Sequence, residues 1–246
     1  MQTCEEIVIQ LKSICFSYPG RPPVLNGLDF ELRRGERVGL VGANGAGKTT
    51  LFHLIMGLFS PASGSIRIFG RERVKESDFR EVRRRIGFLF QNPDDQLFCP
   101  TVLEDVAFGP MNLGASPATA RQTAMETLEM LGIPDFAPRI SHRLSHGEKK
   151  LAAMACILAM GPELLILDEP SSGLDRAAKE KLVEVLERLD LTCVVASHEM
   201  DFLDRITTVV YGMSDGRIDT SARPAVHSHT HLHPGGGYQH SHDDLL

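Results

Sequence analysis

Gly42-Ala43-Asn44-Gly45-Ala46-Gly47-Lys48-Thr49-Thr50 is the stretch whose reading decides the fold. Ahead of it runs Arg37-Val38-Gly39-Leu40-Val41, short and apolar. Behind it Leu51-Phe52 opens a helix-like segment that continues to Leu58. The order is strand, glycine loop, helix. Glycines let successive backbone N–H groups turn inward around phosphate oxygens, and the start of the following helix adds partial positive charge. Lys48 is placed to reach terminal phosphates, and the Thr49 hydroxyl to sit on Mg²⁺. Gly42, Asn44, Gly45, Gly47, Lys48, Thr49 and Thr50 are the candidate nucleotide contacts.

Outward from this loop the chain alternates strands and helices. Partial alternation over 7–18 (Ile7, Ile9, Leu11, Ile14, Phe16, Tyr18) reads as one or two strands. Val24–Leu32 reads as another, and Ser65–Gly70 as a short one. Val74–Arg85 is highly charged and reads as a helix with a solvated face. Ile86–Phe90 is an apolar strand ending at Gln91. From Asn92 to His142 the pattern is helical with loops: a short element at Asp105–Gly109, then a clear helix over Pro117–Leu131. Ser116 is its cap, Pro117 suits its first turn and Gly132 ends it. Leu144-Ser145 opens a further helix with Glu148 at capping-box spacing. Leu164–Leu167 is a continuous apolar run of the buried-strand kind. A helix over Ala177–Leu189, a strand at Thr192–Ala196 and a short helix at Met200–Ile206 follow. Thr208–Tyr211 and Arg217-Ile218 read as closing strands. The alternation argues an α/β core with helices on both sheet faces.

Composition bounds the rest. The 246 residues are 42% hydrophobic, enough to bury about 70–75% of the unfolded chain's surface. A formal charge of -6 does not indicate a broad basic face, so no nucleic acid partner is expected. No run approaches the length of a membrane span, and the start lacks the pattern of a signal peptide. The five cysteines are scattered and form no C-x-x-C pair, which fits free thiols in a reducing compartment. Residues 223–246 carry His227, His229, His231, His233, His240 and His242 with little apolar content. This tail is expected to be disordered.

Leu164-Leu165-Ile166-Leu167-Asp168-Glu169-Pro170 puts two carboxylates at the exit of the buried strand. Asp168 is suited to hold Mg²⁺, directly or through water, and Glu169 to polarise an attacking water. With these motifs in order, residues 7–222 resemble the nucleotide-binding subunit of ATP-binding-cassette transporters. Tyr18 matches the aromatic residue that stacks on adenine, and Gly42–Thr50 the phosphate loop. Gln91 matches the glutamine that senses Mg²⁺ and couples to the membrane partner. Leu144-Ser145-His146-Gly147-Glu148 matches the family signature, and Asp168 and Glu169 the second nucleotide motif. Ser172-Gly173-Leu174-Asp175 matches the loop joining two sites across a dimer, and His198 the switch histidine near the γ-phosphate.

The resemblance implies a P-loop NTPase of the ABC ATPase type. It has a mostly parallel sheet core, an antiparallel β subdomain, and a helical subdomain inserted at about 92–144 of a 1–222 domain. It implies ATP and Mg²⁺ as ligands. Glu169, His198 and Gln91 would be catalytic, and Thr49, Gln91 and Asp168 would hold the metal. Two copies, arranged head to tail as a homodimer, would close Ser145 and Gly147 of one over ATP on the other, with Asp175 between them. The signature departs from its common form at His146 and Glu148. The added negative charge at Glu148 is one that Lys149 and Lys150 are placed to offset. Leu151 stands where many relatives carry arginine, expected to weaken a surface contact.

Gln91–Phe98 and Thr101–Pro110 are similar to the ATPases of energy-coupling-factor importers, which take up vitamins or Ni²⁺/Co²⁺. Asn92–Phe108 would line the groove for an integral membrane coupling protein, and a membrane substrate-capture protein would complete the assembly. The ATPase would then lie peripherally on the cytoplasmic face of the cell membrane. Alternating histidines suit Ni²⁺ or Co²⁺, which agrees with the cobalt/nickel branch. A vitamin importer of the same class and a soluble, non-transport ABC ATPase are the competing readings.

Overall fold

Apolar residues at alternate positions of Ile7–Ser17 (β1) bury Ile9, Leu11, Ile14 and Phe16, and set its pairing with Pro23–Arg33 (β2). The structure, a computed structural model, describes residues 6–224. The alternation shifts at Ser13, whose φ of +50° marks a bulge held by Asp29, which accepts the Ser13 N–H at 2.7 Å. The next elements are β3 (Arg37–Val41), α1 (Lys48–Ile55), β4 (Ser63–Ile68) and β5 (Arg71–Glu72). Strands β1, β2, β4 and β5 make one antiparallel sheet in the order β2-β1-β4-β5.

The second sheet holds β3 with β6 (Ile86–Leu89), β7 (Leu164–Asp168), β8 (Thr192–Ala196), β9 (Val209–Ser214) and β10 (Arg217–Pro224). Its order is β10-β9-β3-β8-β7-β6, parallel except for β10 at the edge. Every residue of β6, β7 and β8 is buried, as a parallel sheet covered on both faces requires. Leu164 and Ile166 pack with Phe52 and the antiparallel sheet. Leu165 and Leu167 pack on the opposite face with Leu103, Leu151 and Leu186. Helix α1 and Phe79 and Val82 of α2 (Glu76–Arg85) share the first core. Helices α3 (Val102–Asn112), α4 (Pro117–Met130), α5 (His146–Leu158), α6 (Arg176–Arg188) and α7 (Met200–Ile206) build the second.

Several element bounds differ from the sequence reading, three of them near the site or the tail. Helix α1 ends at Ile55 rather than Leu58, because the Leu58 N–H turns back to the His53 carbonyl at 2.8 Å. Helix α3 is longer than Asp105–Gly109. Thr101 and Glu104 form a capping box at its start, and Gly109 and Pro110 are accommodated in its last turns. Strand β10 runs on to Pro224, two residues into the stretch read as a tail, with Arg223 pairing Val210. Cys15, Cys99, Cys156 and Cys193 are unpaired, as free thiols should be. Cys4 and the histidines from His227 onward lie outside the described residues.

Two polar ties, one buried and one half-buried, hold the helices where the site needs them. Asp105, 3% exposed, accepts the N–H groups of Phe98 and Cys99 at 2.9 and 2.8 Å and the Ser141 hydroxyl at 2.5 Å. It thus fixes the chain that follows Gln91 onto α3. Arg37, at the start of β3, donates to the carbonyls of Leu186 at 2.7 Å, Leu189 at 3.3 Å and Ile206 at 2.7 Å. One guanidinium therefore satisfies the C-terminal ends of both α6 and α7. Arg37→Leu is expected to cost about 2 kcal/mol or more, from charge-assisted bonds lost and carbonyls left unpaired. Urea unfolding of the two proteins measures it.

Candidate active site

The phosphate loop leaves β3 at Val41 and passes close beneath β9. A Cβ on Gly42 would stand 2.3 Å from the Met213 carbonyl oxygen, so only glycine fits there. Gly47, with φ +107°, turns the chain into α1, and a Cβ on it would meet Leu25 at 2.7 Å. Lys48 then heads the helix. Its ammonium lies over the mouth of the loop, donating to the carbonyls of Gly42 at 2.5 Å and Ala43 at 3.3 Å.

Because β8 alone separates β3 from β7 in the sheet, the exit of β7 faces this loop. The Thr49 hydroxyl donates to Asp168 Oδ2 at 2.6 Å. Burial pushes the Asp168 carboxyl above its ordinary range; the Thr49 bond and the nearby Lys48 and Lys150 oppose that push. Glu169, next along, is 7% exposed and has a left-handed backbone, φ +49°, which strains a non-glycine residue. Its Oε2 lies 2.9 Å from His198 Nδ1. Tyr18 presents its hydroxyl to Thr50 Oγ1 at 3.0 Å while its ring rests edge-on against Phe16 and Phe59.

These residues surround one cleft of about 540 Å³, lined by Tyr18, Asn44, Gly45, Gly47, Lys48, Thr49, Thr50, Gln91, Asp168 and Glu169. Gly42 shapes it from behind. The donors at its floor are all oxygens: the Thr49 hydroxyl, the Asp168 carboxylate and the Gln91 amide. That is the set a small hard cation such as Mg²⁺ takes, and a carboxylate disfavoured by burial is one that a cation stabilises.

Ser145, Gly147 and Asp175 are elsewhere. They line a separate cleft of about 520 Å³ between the start of α5 and the start of α6. Ser145 caps α5, its Oγ accepting the Glu148 N–H at 3.3 Å while Glu148 Oε2 accepts the Ser145 N–H at 2.8 Å. Asp175 caps α6 by accepting the Ala178 N–H at 2.8 Å. The His146 ring packs on Gly173, where a Cβ would come within 2.6 Å of it. His146 and Ser172 also face Thr49, Gln91 and Asp168 across a third, smaller cleft.

Two sequence expectations about the signature need correcting. Lys149 and Lys150 do not offset Glu148. Arg139 does, donating to Glu148 Oε1 at 2.8 Å. Lys149 instead pairs with Asp94 at 2.5 Å, and Lys150 donates to the Glu169 carbonyl oxygen at 2.6 Å. Leu151, read as weakening a surface contact, is 5% exposed: it packs in the core of α3–α7 and reaches only the wall of the signature cleft. Lys150 itself was missed as a site residue. Its signal was a lysine on the α5 face that carries Ala153, Met154 and Ile157. His53, also missed, lies one turn beyond Thr49 among Phe59, Phe88 and Phe90, and burial lowers its pKa.

The chain's residues 25–172 match the family model described as "ABC transporter". It is 50% identical over 96% of its length to a putative ABC transporter ATP-binding protein of Nitratidesulfovibrio vulgaris, 86% of which is covered. It is 41% identical over 88% of its length to the energy-coupling factor transporter ATP-binding protein EcfA of Methanothermobacter thermautotrophicus, of which it covers 71%. Among solved structures it is similar to cbiO1 from Clostridium perfringens, part of the ABC transporter complex cbiONQ. That likeness has a TM-score of 0.78 at 31% identity and covers 90% of each chain.

The Arg139 and Ser145 bonds hold the Glu148 carboxyl down at about 2, from an ordinary 4.5. A carboxylate with a depressed folded pKa contributes stability above its unfolded value, and that contribution fades as pH falls toward the folded one. The stability gap between the native chain and Glu148→Gln should therefore be constant above 4.5 and close between 4.5 and about 2. Denaturant titrations at a series of pH values test this.

Proposed function

This chain belongs to the ABC transporter family, and from that premise we propose that it is the ATP-hydrolysing subunit of an energy-coupling-factor importer for cobalt or nickel ions. The observation that carries the reading is the convergence of Lys48, Thr49, Gln91, Asp168 and Glu169 on one cleft. ATP enters with its adenine toward Tyr18 and its phosphates in the loop of Gly42–Thr50. Thr49, Asp168 and Gln91 would hold Mg²⁺, which would neutralise phosphate charge. Lys48 neutralises the terminal phosphates. The Glu169 carboxylate accepts a proton from water as the water oxygen bonds to the γ-phosphorus and the bond from that phosphorus to the β–γ bridging oxygen breaks, giving ADP and phosphate. His198 steadies Glu169 through Nδ1. Its imidazole is also the contact to the γ-phosphate that the resemblance implies.

The signature cleft lies apart from the phosphate cleft in one chain, which supports a head-to-tail homodimer. ATPases of this family pair and act with membrane components. Ser145 and Gly147 of one subunit close over the ATP of the other, Asp175 meets its partner's site, and water is excluded. No described helix is long and apolar enough to cross a membrane. The contact with an integral coupling protein falls at the exposed edge beyond Gln91, where Phe98 and Phe108 meet edge to face with Met111 beside them. On this reading the subunit lies peripherally on the cytoplasmic side, and a substrate-capture protein completes the importer. The metal-ion branch rests on the alternating histidines His227–His233 and their affinity for borderline cations.

Glu169→Gln keeps the shape of the site and removes the base. Its ATP turnover should fall at least about a hundredfold while ATP binding persists. Purified gently from native membranes with ATP, this variant should bring down a small integral coupling protein and a metal-type capture protein. Full turnover refutes the base. A vitamin-type capture protein refutes the metal, and a pool free of membrane partners refutes the importer.

A further inference from the structure

Helix α5 starts in the signature cleft and passes beneath Glu169. Lys150 lies just over one turn beyond Ser145 and is 1% exposed. A buried ammonium is costly unless a partner requires it, and an apolar side chain of the same length would fill the space without that cost. Burial does depress its pKa, against the pull of Asp168 and Glu169. Its Nζ donates at 2.6 Å to the backbone oxygen of Glu169.

Glu169 is held by four ties. Its N–H donates to the Ala196 carbonyl at 2.9 Å, its carboxylate meets His198 at 2.9 Å, and its carbonyl accepts both Lys150 Nζ at 2.6 Å and the Ser172 N–H at 3.3 Å. The first two come from β8 and from the segment that follows it, and the Ser172 bond closes the turn that Glu169 itself opens. Only the Lys150 bond comes from the helix that carries Ser145 and Gly147. It acts on a peptide whose φ of +49° is unfavourable for glutamate and persists only if the surroundings impose it. The neighbouring Lys149 binds Asp94 at 2.5 Å, so the same turn of α5 also holds the segment after Gln91.

We infer that Lys150 is a positioning residue. It imposes the left-handed peptide that aims the Glu169 carboxylate, and it makes that aim depend on how α5 is seated. Engagement of Ser145 and Gly147 by one nucleotide is thereby transmitted to the base that acts on the other. The inference rests on Glu169 being the base, and its test separates the two claims.

The full chain is compared as wild type, Lys150→Met, Lys150→Arg, Glu169→Gln and the double variant Lys150→Met/Glu169→Gln. Lys150→Met should lower kcat about ten- to a hundredfold with the KM for ATP within about twofold. Lys150→Arg keeps the charge and the donor and should return kcat to within about threefold of wild type. The double variant should bind ATP as Glu169→Gln does. A Lys150→Met enzyme with unchanged kcat overturns the inference. So does a loss carried by KM, or an arginine variant as slow as the methionine one. Loss of the melting transition or of ATP binding in both Lys150 variants assigns the lysine to folding and overturns it as well. An active Glu169→Gln enzyme overturns the base. An inactive one beside an unimpaired Lys150→Met overturns only the role of the lysine.

Discussion

The hydrogen bond from Thr49 to Asp168 joins the two halves of the nucleotide site. Thr49 belongs to the first turn of α1 and Asp168 to the last residue of β7, and the intervening β8 sets the gap they must span. A carboxylate there is poorly solvated, so it needs donors and cations around it. The chain supplies them from two helices: the Thr49 hydroxyl and Lys48 at the start of α1, and Lys150 on α5. The loop geometry follows from the same closeness. Gly42 has no room for a side chain against β9, and Gly47 must turn sharply to bring Lys48 and Thr49 to the cleft.

Helix α5 is the joint between this site and the rest of the chain. Its first turn carries the signature, and Arg139 neutralises its capping glutamate. Its next residues reach outward to Asp94 and inward to Glu169. Its far face is part of the core that α3 and α4 share. A displacement of α5 would therefore be felt at three places: the segment after Gln91, the peptide of Glu169 and the packing of α3. Asp105 fixes the exposed Phe98 edge to α3, so that edge lies on the same chain of contacts.

Much of this was legible in the sequence because it follows from local rules. The parallel strands are unbroken apolar runs, since both faces of their sheet are covered. The caps at Ser116 and Ser145 are residues whose oxygen must meet an amide three positions on. The β-bulge at Ser13, the clamp by Arg37 and the destination of Lys149 and Lys150 were not legible. Each is settled by a partner far away in sequence: Asp29, Leu186 and Ile206, Asp94 and Glu169. Adjacent lysines beside a glutamate suggest mutual neutralisation. A helix instead points neighbouring residues about 100° apart, so these two leave Glu148 to Arg139.

The placement of the signature shows why one chain is half a machine on this reading. Ser145, Gly147 and Asp175 open into a cleft of their own, and the hydroxyl and carboxylate there already have backbone partners within the subunit. What the cleft still offers is the backbone of a capped helix start, at Gly147, and the imidazole of His146, seated on Gly173. A glycine at position 146 would present backbone alone. The histidine adds a donor at the place where a partner's phosphates would arrive, and Arg139 removes the charge that would repel them. On that reading the departures at 146 and 148 act together: the glutamate completes the cap and is neutralised from behind, and the histidine adds an imidazole to the lining of the cleft.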